Sequence, residues 1–280
     1  MRPVTSVAQA PLIRLASADQ ERWRSFSRSL ADYHYDQAEE DQTARQRESF
    51  LLAADYYSQL ADRTSAEGDV LRLAGDAFLQ AGDHVNAFEH YQRAAYDTDY
   101  EIKEDPAAAD AAWAAIVIQR DALDNRNLLP ATLDDLAAAA DRFAAKFPED
   151  QRQPGLMADI SNRMLAQHRY ADALRFSDFA ITHPSVSAAE RYSAWVAAGE
   201  ANVAMASYGL AENAWRQSLA LISEGLLQDA LANPIAANPT PASAVSPIFR
   251  FIGMSSMLVP AFSGDHSFPP PSPMRRNEAK

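Results

Sequence analysis

The chain has 280 residues, 48% of them hydrophobic, a net charge of −13, no cysteine and only nine glycines. That charge repels phosphate backbones and anionic membrane surfaces, which argues against nucleic acid as a partner and against membrane insertion. The missing cysteines exclude disulfides, thiolate metal sites and cysteine nucleophiles. Scarce glycine favours helices over a turn-rich β fold.

Residues 1–17 read as an irregular lead-in. Arg2 is followed by Pro3 and Pro11 rather than by a long apolar run, so the stretch lacks the pattern of a secretory signal. From 18 to 232, apolar residues recur at spacings of three and four, as on amphipathic helices. The pattern predicts ten helices, over 18–36, 44–63, 67–81, 84–97, 106–122, 131–146, 152–167, 170–183, 187–206 and 208–222. A short eleventh is predicted over 224–232. Gly82-Asp83 pairs a helix-ending glycine with a helix-capping aspartate, Pro106 suits a first turn, and Pro148 and Pro184 each follow a helix end. Residues 124–131 hold the one sizeable internal loop. No alternation of period two persists, so no sheet is predicted.

Residues 233–280 are a different material, with nine of the sixteen prolines and four basic residues against two acidic ones. Pro269-Pro270-Pro271 and Pro273 favour an extended or disordered tail. Its stretch 248–262 comes nearest to a membrane span but is short and broken by Arg250, Gly253 and Pro260. The chain is expected to be soluble, in the cytoplasm or, if a leader precedes it, in the periplasm.

Three segments share one template at fixed spacing. They are Leu71-x2-Ala74-Gly75-x2-Phe78 with Ala87-x3-Tyr91-x2-Ala94, Met157-x2-Ile160-Ser161-x2-Met164 with Ala173-x3-Ser177-x2-Ala180, and Trp195-x2-Ala198-Gly199-x2-Asn202 with Ala211-x3-Trp215-x2-Ser218. These residues resemble the tetratricopeptide repeat family, whose pattern is W-x2-L-G-x2-Y…A-x3-F with a period of about 34 residues. Two more segments match in part. Trp23-x2-Phe26-Ser27-x2-Leu30 goes with Ala53-x3-Tyr57, and Trp113-x2-Ile116 with Ala137 and Ala144. The five starting residues stand 38 to 48 positions apart, so the array is irregular. The resemblance implies an all-α fold, a right-handed superhelix of about five stacked antiparallel helix hairpins. The ending Phe143-Ala144-Ala145-Lys146-Phe147-Pro148 is similar to helix ends in repeat proteins of the Gram-negative cell envelope.

Residues three or four apart share a helix face, so Leu71, Ala74, Gly75 and Phe78 form one stripe and Ala87, Tyr91 and Ala94 the facing one. Helix axes approach to about 8–10 Å only where small residues meet. Gly75 against Ala87 and Gly199 against Ala211 are the expected crossings. A hairpin with apolar surface on both sides is stable only when stacked on neighbours.

The motifs of nucleophile elbows, zinc-binding helices and phosphate loops are all absent, so the chain reads as noncatalytic, with no cofactor and no metal site. His84 and His90 lie six apart, outside the i, i+4 spacing of a helical metal pair. The polar run over residues 32–41 reads as an acidic helix end with aromatic anchors rather than as an acid–base centre.

The family resemblance implies a partner segment held on the concave face, beside the core stripe of each first helix. Those positions are Arg72, Asp76, Leu79 and Gln80, then Ala158, Asn162 and Leu165, then Val196, Glu200 and Val203. The lysine-and-asparagine clamp of the family's carboxylate-binding members is not matched. The expected function is a protein–protein interaction scaffold for a neutral-to-basic polypeptide segment. Alternatives are the helical arm of a larger envelope assembly protein and, more remotely, an all-α enzyme. An incompletely capped last repeat would favour self-association.

Overall fold

The computed structural model describes residues 17–41, 43, 45–63, 68–98 and 106–223. Among them are ten α-helices and no strand: α1 (Ser17–Glu40), α2 (Gln46–Arg63), α3 (Gly68–Gln80), α4 (His84–Tyr96), α5 (Pro106–Asp124), α6 (Leu133–Lys146), α7 (Gln153–Ala166), α8 (Tyr170–Thr182), α9 (Ala188–Ala204) and α10 (Tyr208–Ser223). Each of the ten expected helices is present. The largest change is in α1, which runs on to Glu40 instead of ending at 36. The lead-in over 1–16, the eleventh helix over 224–232 and the tail over 233–280 lie outside the described residues.

Local chemistry sets the helix ends. Thr132 and Ser187 each accept a hydrogen bond from the backbone N–H three residues on, at Asp135 and Glu190, whose carboxylates bond back to the cap. Asp83 caps α4 by accepting from the Asn86 N–H at 3.2 Å. Three hairpins turn through one backbone geometry. Gly82 has φ 74°, and its N–H and that of Asp83 donate to Leu79 O and Phe78 O. His168 (φ 60°) and Ala206 (φ 58°) do the same after α7 and α9. Only the first of the three turns uses the residue that this left-handed conformation favours.

The helices form a right-handed solenoid of stacked antiparallel pairs. α1–α2, α3–α4, α7–α8 and α9–α10 are closed hairpins, joined where α2 meets α3, α4 meets α5 and α8 meets α9. The longer loop before Thr132 lets α6 reach across to α4. There Arg142 lies 3.6 Å over the Tyr96 ring and Lys146 Nζ donates to Ala95 O at 2.6 Å.

Gly75 and Gly199 each lie against a ring of the second helix of their hairpin. A Cβ added to Gly75 would stand 2.8 Å from the Tyr91 ring, and one added to Gly199 would collide with the Trp215 indole. The small residue makes room for a ring. In the pair between them both members are small, and Ser161 and Ser177 close the gap with a buried 2.7 Å hydroxyl contact. The first repeat is read one turn too early from sequence. Phe26 should occupy a core position but is 68% exposed, while Ala31 is fully buried. Ser27, Leu30 and Ala31 therefore take the places of Leu71, Ala74 and Gly75.

Ion pairs link the stack with a consistent direction. Arg93 reaches Asp62 at 2.8 Å, Arg175 reaches Asp141 at 2.8 Å and Arg169 reaches Asp134 at 2.6 Å. On the other side, Arg152 reaches Asp110 at 2.8 Å and Arg163 reaches Asp124 at 3.2 Å. In every case the guanidinium belongs to the later repeat and the carboxylate to the earlier one. Exposed pairs contribute little energy each, about 0–1 kcal/mol. Their effect is on register.

Two substitutions test this packing. Gly75→Val should lower stability by about 1–3 kcal/mol through pressure on Tyr91, and an unchanged denaturation midpoint would contradict it. Ala206→Gly should raise stability by about 0.5–1 kcal/mol by relieving the left-handed residue, read as a higher melting temperature.

Candidate functional site

The candidate surface consists of the positions beside the core stripe of α3, α7 and α9. α7 and α9 touch directly, and Asn162 Nδ2 donates to Ser193 Oγ across their boundary at 3.0 Å. Asn162 and Glu200 are exposed, Val203 is partly open, and Leu165 and Val196 are half-buried. Ala158 is buried beneath them. Five of the predicted residues, Asn162, Leu165, Val196, Glu200 and Val203, thus lie on two adjoining helices as a mixed apolar and polar strip. Ser193, the hydrogen-bond partner of Asn162, was not foreseen, because it lies off the repeat template.

Arg72, Asp76, Leu79 and Gln80 are separate from this strip. Their helix α3 lies on the other side of α5, whose corresponding residues Ala114 and Ile118 are buried apolar side chains. Leu79 and Gln80 are half-buried. Asp76 is only 3% exposed and belongs to the interior. Tyr91 Oη donates to Asp76 Oδ1 at 2.6 Å, and Arg72 NH1 approaches Oδ2 at 3.3 Å. Neither Asp76 nor the guanidinium it holds is free for a partner.

The same arrangement recurs one repeat earlier. Tyr57 Oη donates to Asp32 at 2.6 Å, and Arg28 pairs with Asp32 at 3.0 Å. Asp32 of the acidic run is therefore structural, and the spacing of Arg28 and Asp32 could have revealed the unit beside Arg72 and Asp76. Tyr35 lies buried between the two sets and feels both Asp76 and Arg72. Burial, reinforced by the Asp76 carboxylate, pushes the Tyr91 phenol well above its ordinary value. Burial and the hydrogen bond to Asp32 do the same for Tyr57, and burial with the nearby carboxylates does so for Tyr35. Burial also raises Asp76, against the opposing pull of Arg72 and Tyr91.

His90 is buried, with Nδ1 2.8 Å from Asn86 O and Nε2 2.9 Å from Ser58 Oγ, and so has a packing role. Among the described residues no group of three or more His, Asp or Glu is placed to hold a metal ion, and no helix is long and apolar enough to cross a membrane. No protein-family model and no curated protein matches the chain.

The tyrosines give the fold a pH signature. A phenol whose folded pKa is raised contributes stability that is whole below the unfolded value of about 10 and is lost as pH rises beyond it. Each of the three should add a slope of up to about 1.4 kcal/mol per pH unit in that window. Melting temperature should fall between about pH 9 and pH 11, and less steeply in Tyr57→Phe. An equal slope in that variant would remove Tyr57 from this account.

Proposed function

We propose that the chain is a noncatalytic interaction scaffold of the tetratricopeptide-repeat kind, binding a polypeptide segment along α7 and α9. The observation that carries this reading is the strip formed by Asn162, Leu165, Val196, Glu200 and Val203 on two helices in direct contact. Leu165, Val196 and Val203 would take apolar side chains of the segment. Glu200 would favour a basic residue, and Asn162 would bond its backbone or a polar side chain. Leu79 and Gln80 would extend the contact only for a segment long enough to pass α5.

Apolar residues spread along two helices, Leu165 on α7 with Val196 and Val203 on α9, suit an extended segment. The net charge of −13 favours encounter with a neutral-to-basic partner.

A photo-crosslinking residue placed at Val203 or Leu165 should capture the partner, while one at the exposed Glu89 of α4 should not. Val203→Asp combined with Glu200→Lys should weaken binding by at least about tenfold with the fold intact, measured by calorimetry on the captured segment. Binding that survives the double substitution would exclude this strip.

A further inference from the structure

We propose that two copies of this chain associate through α10, packed antiparallel about a twofold axis near Trp215. α10 carries two apolar stripes. Ala211, Ala214, Ser218 and Leu221 are buried on its inner side, toward α9. Tyr208, Trp215, Leu219 and Ile222, at spacings of seven, four and three, lie on another face. That face is open, with Tyr208 68% and Leu219 61% exposed.

The solenoid itself shows what such a face is for. The matching positions of α8 are Tyr170, Ser177 and Ile181, the counterpart of Ile222 falling beyond its end. There Ser177 is buried and the other two pack against the core, with α9 laid beside α8. The outer stripe of α10 is thus a stacking surface, built like the interior ones, that no described helix covers.

Charge identifies the occupant. The only charged residues of α10 are Glu212 and Arg216, which flank the stripe and pair with each other at 2.6 Å while both stay exposed. One acid and one base a turn apart make a helix complementary to itself when reversed. With the axis level with Ala214, one residue from Trp215, Arg216 of one chain comes opposite Glu212 of the other, twice by symmetry. The two pairs made within separate helices become two pairs between helices, the pattern of an isologous interface. A contact made mainly by one helix from each chain is at the small end of specific interfaces, so the dimer should be weak and concentration-dependent.

Analytical ultracentrifugation of the full chain across the micromolar range tests this. The expected result is a monomer–dimer equilibrium whose dissociation constant rises by at least about tenfold in Leu219→Glu, with circular dichroism and melting unchanged. Glu212→Arg and Arg216→Glu should each weaken self-association by several fold, and mixing these two variants should yield a heterodimer tighter than either homodimer. A full chain that stays monomeric overturns the proposal, and so does a dimer indifferent to Leu219→Glu. If it is monomeric, a photo-crosslink from position 219 to residues 224–280 of the same chain would identify a different cover for the stripe. None of these outcomes depends on the strip of α7 and α9.

Discussion

The array rests on a volume exchange between the two helices of a pair. A position on the first helix is reduced to glycine so that a ring from the second, sixteen residues later, can lie over it, as Tyr91 does over Gly75 and Trp215 over Gly199. Interiors tolerate neither voids nor overlap, so the two sites must change together. The pair between them obeys the same constraint at a smaller volume. Ser161 gives its proton to Ala173 O, which leaves Ser177 as the donor in the contact between the two hydroxyls. The hydroxyls are satisfied, the helices close up, and no ring is needed.

With each hairpin closed in this way, apolar surface remains on both of its sides, and stacking has to choose an order as well as a distance. The ion pairs supply the order. Because the guanidinium comes from the later repeat in the pairs between repeats among the described residues, the hairpins they join present bases backward and acids forward, and an inverted neighbour would set like charges against each other. Hydrophobic stacking alone carries no such direction. Individually weak pairs are enough for this, since the discrimination lies in repulsion against wrong arrangements rather than in net attraction.

Much of this was legible in the sequence, because helix periodicity is a short-range property. The ten helices and the hairpins at Gly82 and Asp83 follow from residues within a turn or two of each other. What was misplaced depends on contacts across helices. Trp23 and Phe26 imitate the template locally, yet Tyr57 bonds Asp32 and the buried small residue is Ala31, one turn further on. His168 and Ala206 hold left-handed turns without glycine, because the closed hairpins on either side outweigh a strain of about 1–2 kcal/mol at each. Asp76 matched a surface position by spacing alone. Its burial became visible only with Tyr91 in place, since a carboxylate on a helix face gives no local sign that a phenol from another helix will claim it.

That last point links the packing to the surface. Asp76, Asn162 and Glu200 occupy equivalent places, five residues beyond Leu71, Met157 and Trp195, and the second helix decides what becomes of each. Tyr91 is long enough to fill the space over Gly75 and still place its hydroxyl on Asp76, which is drawn into the core. Ser177 is too short to reach the first helix's outer face, so Asn162 stays exposed. Trp215 covers Gly199 but is not bonded to Glu200, and that carboxylate also remains exposed. The residue that closes a hairpin therefore sets whether this position of its first helix is buried or exposed. The early repeats, closed by Tyr57 and Tyr91, consume their acids. The later ones, closed by Ser177 and Trp215, leave Asn162 and Glu200 exposed on α7 and α9.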